Sequence, residues 1–167
     1  MLIRAEEQGD WLGVHAVVTA AFETPAEARL VAVLRRQAHP IVSLVAVEDG
    51  ALVGHIMFSR ATLSERSDLK IMGLAPMAVT PGRQLRGIGS ALVVSGLERC
   101  RRLGAGAVVV LGHPEYYSRF GFVPAVRFGI DSEYDAPEEA FMALELQPGF
   151  LDGTSGVIRY HSAFAGL

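Results

Sequence analysis

An apolar strand, a glycine-bearing loop and a long helix follow one another between Ile71 and Leu103, and this run constrains the fold more than any other feature. Ile71–Val79 has the composition of an extended segment. Pro76 within it cannot donate to a sheet ladder, so the strand is expected to be irregular or unpaired there. Thr80–Arg86 is a polar, arginine-containing loop. Gly87–Leu103 has helical spacing, with Leu92, Val93, Gly96, Leu97, Cys100 and Leu103 on the expected buried face and Glu98, Arg99 and Arg102 in water. Gly104 terminates it, and the late arginines suit the negative end of the helix dipole. Ala107–Leu111 is then a short, continuous apolar strand, expected to be buried on both faces.

The flanking segments add helices and antiparallel strands. Trp11, Val14, Val18, Ala21 and Phe22 recur at helical spacing after Asp10, which reads as their cap. Thr24-Pro25-Ala26-Glu27 reads as a capping box with proline at the first helical position, ahead of the stripe Leu30, Val31 and Leu34. Pro40 ends that helix by excluding the helical conformation at His39. Ile41–Val47 and Ala51–Ser59, joined by Glu48-Asp49-Gly50, form an expected hairpin. Ser64–Lys70 is polar and expected to be a loop. Pro114–Phe120 reads as a short helix, with Phe122–Val126, Phe141–Leu146 and Val157–Tyr160 as further strands. This order predicts a single α/β (α+β) domain over residues 1–167.

Between Val79 and the long helix runs Arg83-Gln84-Leu85-Arg86-Gly87-Ile88-Gly89-Ser90. A helix start offers unpaired N–H groups and the positive dipole end, glycines let a phosphate approach the backbone, and arginine adds charge-assisted bonds. The physical reading is a phosphate or pyrophosphate cradle. The P-loop of kinases and ATPases needs a lysine followed by Ser or Thr, which is absent. The dinucleotide pattern needs glycine at the place of Leu92. A tight strand-to-helix turn with glycines for packing is the structural alternative.

Gln84-Leu85-Arg86-Gly87-Ile88-Gly89 resembles the Q/R-x-x-G-x-G/A signature of the GNAT superfamily of N-acetyltransferases, and Tyr117-Ser118-Arg119-Phe120-Gly121-Phe122 resembles its Y-x-x-x-G-F segment. Leu74-Ala75-Pro76-Met77-Ala78-Val79 and Leu111-Gly112-His113-Pro114-Glu115-Tyr116-Tyr117 are similar to a bacterial subgroup usually termed YhbS-like, as is Ala21-Phe22 to Leu34. The resemblance implies a mixed, mostly antiparallel sheet with a splayed central strand, flanked by helices. It implies acetyl-CoA as acyl donor, with its pantetheine arm beside Met77, Ala78 and Val79. The pyrophosphate would lie on Gln84, Leu85, Arg86, Gly87, Ile88, Gly89 and Ser90, with Tyr117 and Phe120 completing the site. An N–H of Ala78 or Val79 would polarise the thioester carbonyl. The resemblance makes Tyr117 the general acid that protonates the leaving thiolate, with Tyr116 as its rival. Some members carry a basic glutamate on the splayed strand, and Leu74–Val79 has none. His113, Glu27 and Glu115 are the alternatives for proton removal. A catalytically silent acyl-CoA-binding regulatory module is the alternative to an enzyme.

The acceptor implied is an amine of unknown identity, small molecule or peptide. Acids such as Glu23, Glu27, Asp131, Glu133 and Asp135 would suit a cationic one. The formal charge of −3 and pI near 5.9 argue against nucleic-acid binding. With one cysteine, Cys100, no disulfide and no metal site is expected, and His55 reads as a core histidine. No signal-peptide pattern or membrane-length apolar run is evident, so a cytoplasmic protein is expected. Dimers are common in the family, so a homodimer is an open expectation.

Overall fold

The computed structural model describes residues 1–167. In chain order the elements are β1 (Leu2–Ala5), α1 (Trp11–Phe22), α2 (Ala26–Gln37), β2 (Ile41–Glu48), β3 (Ala51–Leu63), β4 (Arg66–Val79) and α3 (Ile88–Arg102). Then come β5 (Ala107–Leu111), α4 (Pro114–Tyr117), β6 (Val123–Pro124), β7 (Ile130–Ser132), β8 (Phe141–Glu145) and β9 (Gly156–Arg159). The nine strands form one mixed sheet with the path β1-β2-β3-β4-β5-β8-β6, while β9 pairs with β3 and β7. Only β4–β5 and β7–β9 are parallel.

α3 packs on one face through Ile88, Leu92, Val93, Leu97 and Cys100, against Phe58, Met72 and Val108. α1 and α2 cover the other face near Val45, Met57 and Ala78. The alternating side chains of β3 and β4 serve both layers, so their burial is nearly continuous from Val53 to Ser59. Leu103, expected on the buried face, is 38% exposed because it follows the last helical turn.

Other expectations are corrected. Ser64–Lys70 is not a loop: Arg66–Lys70 belongs to β4, and Ser64-Glu65 is a two-residue turn with Glu65 at φ 62°. That end of the hairpin is held by backbone bonds and by Arg60, whose Nη2 donates to Ser67 and Leu69 carbonyls at 3.0 Å each. Phe122–Val126 contains only the two-residue β6, followed by a 3-10 turn at Ala125–Phe128. Asp10 stands at the N-cap position of α1, but its side chain makes no capping bond there because a 3-10 turn at Gln8–Asp10 leads straight into the helix. Its carboxylate accepts the Glu7 N–H at 2.8 Å and pairs with Arg4 at 2.7 Å. The box at Thr24 is not closed either. Thr24 Oγ1 accepts the Ala26 N–H at 3.3 Å, while Glu27 Oε1 is buried without a hydrogen-bond partner.

A buried polar chain ties α2 to the sheet. Arg35 pairs with Glu6, Ser43 Oγ donates to Glu6 at 3.0 Å, and His55 Nε2 lies 2.9 Å from Ser43 Oγ. Ser43 has one proton and gives it to the carboxylate, so Nε2–H of His55 is the donor to Ser43. Nδ1 is then a bare acceptor, and it has no partner. Burial first, and the Arg35 charge second, pull the His55 pKa down to about 3.

Below pH 6.5 the unfolded chain takes up a proton at His55 that the folded chain refuses, so stability falls as the pH is lowered toward about 3. We expect a loss of about 2–3 kcal/mol between pH 7 and 4.5. Urea melts of the wild type and of His55→Gln, which keeps a donor toward Ser43, check this. The variant is expected to show a shallower pH dependence over that interval.

Candidate active site

β4 and β5 pair only at Ile71–Ala107, Met72–Val108 and Gly73–Val109. Beyond Gly73 they part. β4 continues to Val79 on β3, and β5 continues to Leu111 on β8. Pro76 is one reason the segment tolerates this. Ile56 pairs with Met77 and Phe58 with Leu74, so Met57 alone faces Ala75 and Pro76 in a bulge. A residue without an N–H is accommodated at such a position.

The split leaves ladder groups open. Thr80 N–H donates to Val53 O at 2.9 Å. Antiparallel alternation then turns the N–H of Ala78 toward β3 and those of Met77 and Val79 into the gap. Gln84 Nε2 donates to Val79 O at 3.3 Å, in keeping with that direction. Ala78 is buried against the α1–α2 layer and does not line the gap. Its N–H is therefore not the one offered to a ligand there, and the expectation of Ala78 or Val79 narrows to Val79, with Met77 beside it.

A cavity of about 1050 Å³ occupies the gap. One wall is the loop and the start of α3: Arg83, Gln84, Leu85, Gly87, Ile88, Gly89 and Ser90. Gly87 stands at the cap position with φ 85°, a conformation that disfavours side chains, and no side chain caps the helix. Ala91 N–H is satisfied by Gly87 O at 3.0 Å, which leaves the N–H groups of Ile88, Gly89 and Ser90 at the positive end of a fifteen-residue helix. Arg83 is held by Glu48 at the end of β2. Arg86 does not line the cavity.

The opposite wall is Leu111, Gly112, His113, Tyr116, Tyr117 and Arg119. His113 caps the short α4 from an extended conformation, and its carbonyl accepts the N–H groups of Tyr116 and Tyr117 at 3.1 Å. The two tyrosines go different ways. Tyr116 Oη reaches the helix start, 3.4 Å from Ser90 Oγ and 3.0 Å from where a Cβ on Gly89 would stand. Tyr117 turns inward: its ring lies 2.4 Å from where a Cβ on Gly112 would stand, and edge-on to Phe122 at 5.7 Å. Burial first, and the neighbouring Tyr116 second, push the Tyr117 pKa up to about 12. Its hydroxyl is thus protonated at neutral pH. Phe120 does not line the cavity; it packs edge-on to Tyr116 at 5.4 Å.

Arg119 escaped the sequence reading as a site residue. Its guanidinium lies 4.4 Å from the Tyr116 ring centre, and Nη2 donates to Ser90 Oγ at 3.4 Å. The signal for it was its place one turn after Tyr116. Phe22, Glu27 and Leu30 of the α1–α2 corner close the far side, and Glu27 is the sole acidic side chain on the cavity. Glu115 is exposed and off it, while Asp131, Glu133 and Asp135 line a separate cavity beside β7. His55 is fully buried in the polar chain and does not line it. No group of three or more His, Cys, Asp or Glu side chains is arranged to hold a metal ion. No helix is long and apolar enough to cross a membrane.

The acetyltransferase (GNAT) domain profile matches residues 2–125. The chain is 37% identical to the N-acetyltransferase YhbS of Escherichia coli K12 over 165 residues, 98% of each chain. It is 40% identical to the N-acetyltransferase YjhQ of the same organism over 156 residues, 88% of this chain and 86% of that one. The crystal structure of Escherichia coli YhbS in complex with CoA superposes with a TM-score of 0.91 at 36% identity, covering 98% of this chain and 91% of the other. A GNAT family acetyltransferase from Brucella melitensis in complex with acetyl-CoA gives 0.79 at 36% identity, covering 98% and 97%. A parted β4–β5 pair beside an uncapped, glycine-bearing helix start is thus built from a sequence that aligns with these proteins almost end to end, and the chain belongs to the GNAT superfamily of N-acetyltransferases.

Proposed function

We propose that this N-acetyltransferase takes acetyl-CoA as acyl donor and passes the acetyl group directly to an amine. The observation that carries the reading is the cavity between β4 and β5, which has open N–H groups along one edge, a helix start at one end and a neutral buried tyrosine on its wall. The relatives crystallised with CoA and with acetyl-CoA support it.

The pyrophosphate lies on the N–H groups of Ile88, Gly89 and Ser90, with Arg119 supplying positive charge beside them. The pantetheine arm follows the open edge of Met77 and Val79, and Gln84 holds the loop onto that strand. The Val79 N–H polarises the thioester carbonyl. The ammonium first loses one proton to solvent; the neutral amine's lone pair then adds to the carbonyl carbon, and the carbon–sulfur bond breaks. Tyr117 Oη–H delivers its proton to the leaving sulfur. The nitrogen gives up its proton, and Tyr117 regains one from solvent. The sum is one ammonium and one thioester converted to one amide, one thiol and one released proton. Much of the acceleration comes from holding the two reactants together. Tyr116 acts on the donor side, as a support for the phosphate end.

Cys100 is buried on the packed face of α3, with its pKa pushed up to about 12 by burial despite the opposing Lys70 charge. No activated nucleophile lies on the cavity, which favours direct transfer over a covalent acyl-enzyme.

Gly87→Trp is expected to abolish the calorimetric binding of acetyl-CoA that the wild type shows, with circular dichroism confirming that the variant is folded. No binding by the folded wild type sinks the reading. The tyrosines separate kinetically. Tyr117→Phe is expected to lower kcat about 100-fold with acetyl-CoA affinity kept. Tyr116→Phe is expected to weaken acetyl-CoA binding about 2–10-fold with kcat nearly unchanged. The opposite pattern would exchange their roles.

A further inference from the structure

A second cavity, of about 470 Å³, adjoins the first and shares Leu74, Ala75 and Leu111 with it. Its remaining walls are apolar or aromatic, chiefly Tyr134, Tyr160 and Phe164. The three rings adjoin, Tyr134 stacked on Tyr160 with centroids 5.8 Å apart and Phe164 tilted against Tyr160 at 5.3 Å. They stand where the strands part. Tyr160 Cε1 is 2.8 Å from where a Cβ on Gly73 would lie, and Gly73 is the last β4 residue paired with β5.

Two polar atoms around these cavities lack partners. Tyr160 Oη and Glu27 Oε1 are both buried without a hydrogen bond. Such atoms are few in folded proteins, and each one costs stability unless a ligand or water completes it. Glu27 sits in the first turn of α2 but makes no capping bond there, and it is the sole acidic side chain on the first cavity. Among the side chains the charge layout is therefore polar: Arg119 stands at the helix-start end, and Glu27 stands at the α1–α2 corner.

We propose that the acceptor is a primary amine on an apolar, ring-sized body, with the body in the aromatic cavity and the ammonium group directed by Glu27. This rests on the acetyl-transfer reading above. A polyhydroxylated acceptor, such as an aminosugar, would lose water from several hydroxyls. Among its side chains the second cavity offers it only tyrosine hydroxyls in return. A ring instead gains from leaving water and from stacking on Tyr134 and Phe164. Glu27 binds the cation and orients its nitrogen, which gives one proton to solvent before its lone pair attacks and the second after the carbon–nitrogen bond forms.

The test is acetyl transfer from acetyl-CoA to phenethylamine and to ethanolamine by the full chain, with acetyl-CoA binding measured alongside by calorimetry. We expect kcat/KM for phenethylamine to exceed that for ethanolamine at least tenfold, consistent with burying a phenyl ring. In Glu27→Gln, KM for phenethylamine is expected to rise about tenfold with acetyl-CoA binding unchanged. Acetyl-CoA binding without transfer to phenethylamine, or with equal use of both amines, overturns the acceptor assignment and leaves the donor reading standing. An unchanged KM in a folded Glu27→Gln overturns the role of Glu27. No acetyl-CoA binding by the wild type overturns the underlying reading itself.

Discussion

The structure depends on hydrogen bonds that β4 and β5 do not make. A parallel pair inside a sheet normally satisfies every backbone group along its length. Here the ladder stops at Gly73 and Val109, and both strands run on, each held on its other side. The segment Leu74–Val79 keeps its shape because β3 pairs with it across the bulge at Ala75–Pro76. An unpaired inner edge is thereby obtained without an unstable strand. What faces the gap is a row of backbone groups already fixed in direction, which a ligand meets without reorganisation.

That arrangement needs rigidity on the helical side, and the buried chain of Arg35, Glu6, Ser43 and His55 provides it. It links β1, β2 and β3 to α2, whose first turn carries Glu27. Arg35 also lies 4.8 Å over the Trp11 ring, which brings α1 into the same unit. A chain of apolar side chains would bury as much area, but it would not fix the rotation of α2 about its axis as closely. The histidine is kept neutral so that it can donate to Ser43 through one nitrogen while the other stays bare.

The loop-and-helix wall of the first cavity was legible in the sequence because its features are local. A helix start, two glycines and adjacent arginines are contiguous, and Tyr116 and Tyr117 are adjacent to a proline that begins a turn. The amphipathic face of α3 and the β2–β3 hairpin were legible from periodicity alone. The second cavity was not, because Leu111, Tyr134, Tyr160 and Phe164 meet only after the sheet is assembled. Glu27 carried two readings, candidate base and capping-box partner of Thr24, and the box does not close because the backbone enters α2 through Pro25. Ser64–Lys70 was misread for a related reason. Both faces of that hairpin end are solvated, so its ladder needs no apolar alternation to form.

The two tyrosines illustrate how one short element can divide two tasks. α4 begins at Pro114, with both tyrosine N–H groups taken by the His113 carbonyl, so successive side chains leave the turn about 100° apart. One direction leads to Gly89 and Ser90, where Arg119 stacks on the ring and keeps a cation beside the helix start. The other leads inward past Gly112, where only a residue without a side chain leaves room for the ring. Desolvation is therefore imposed on Tyr117 and not equally on its neighbour. Burial thus keeps the Tyr117 hydroxyl protonated at neutral pH, and the same short turn leaves Tyr116 half-buried beside a cation.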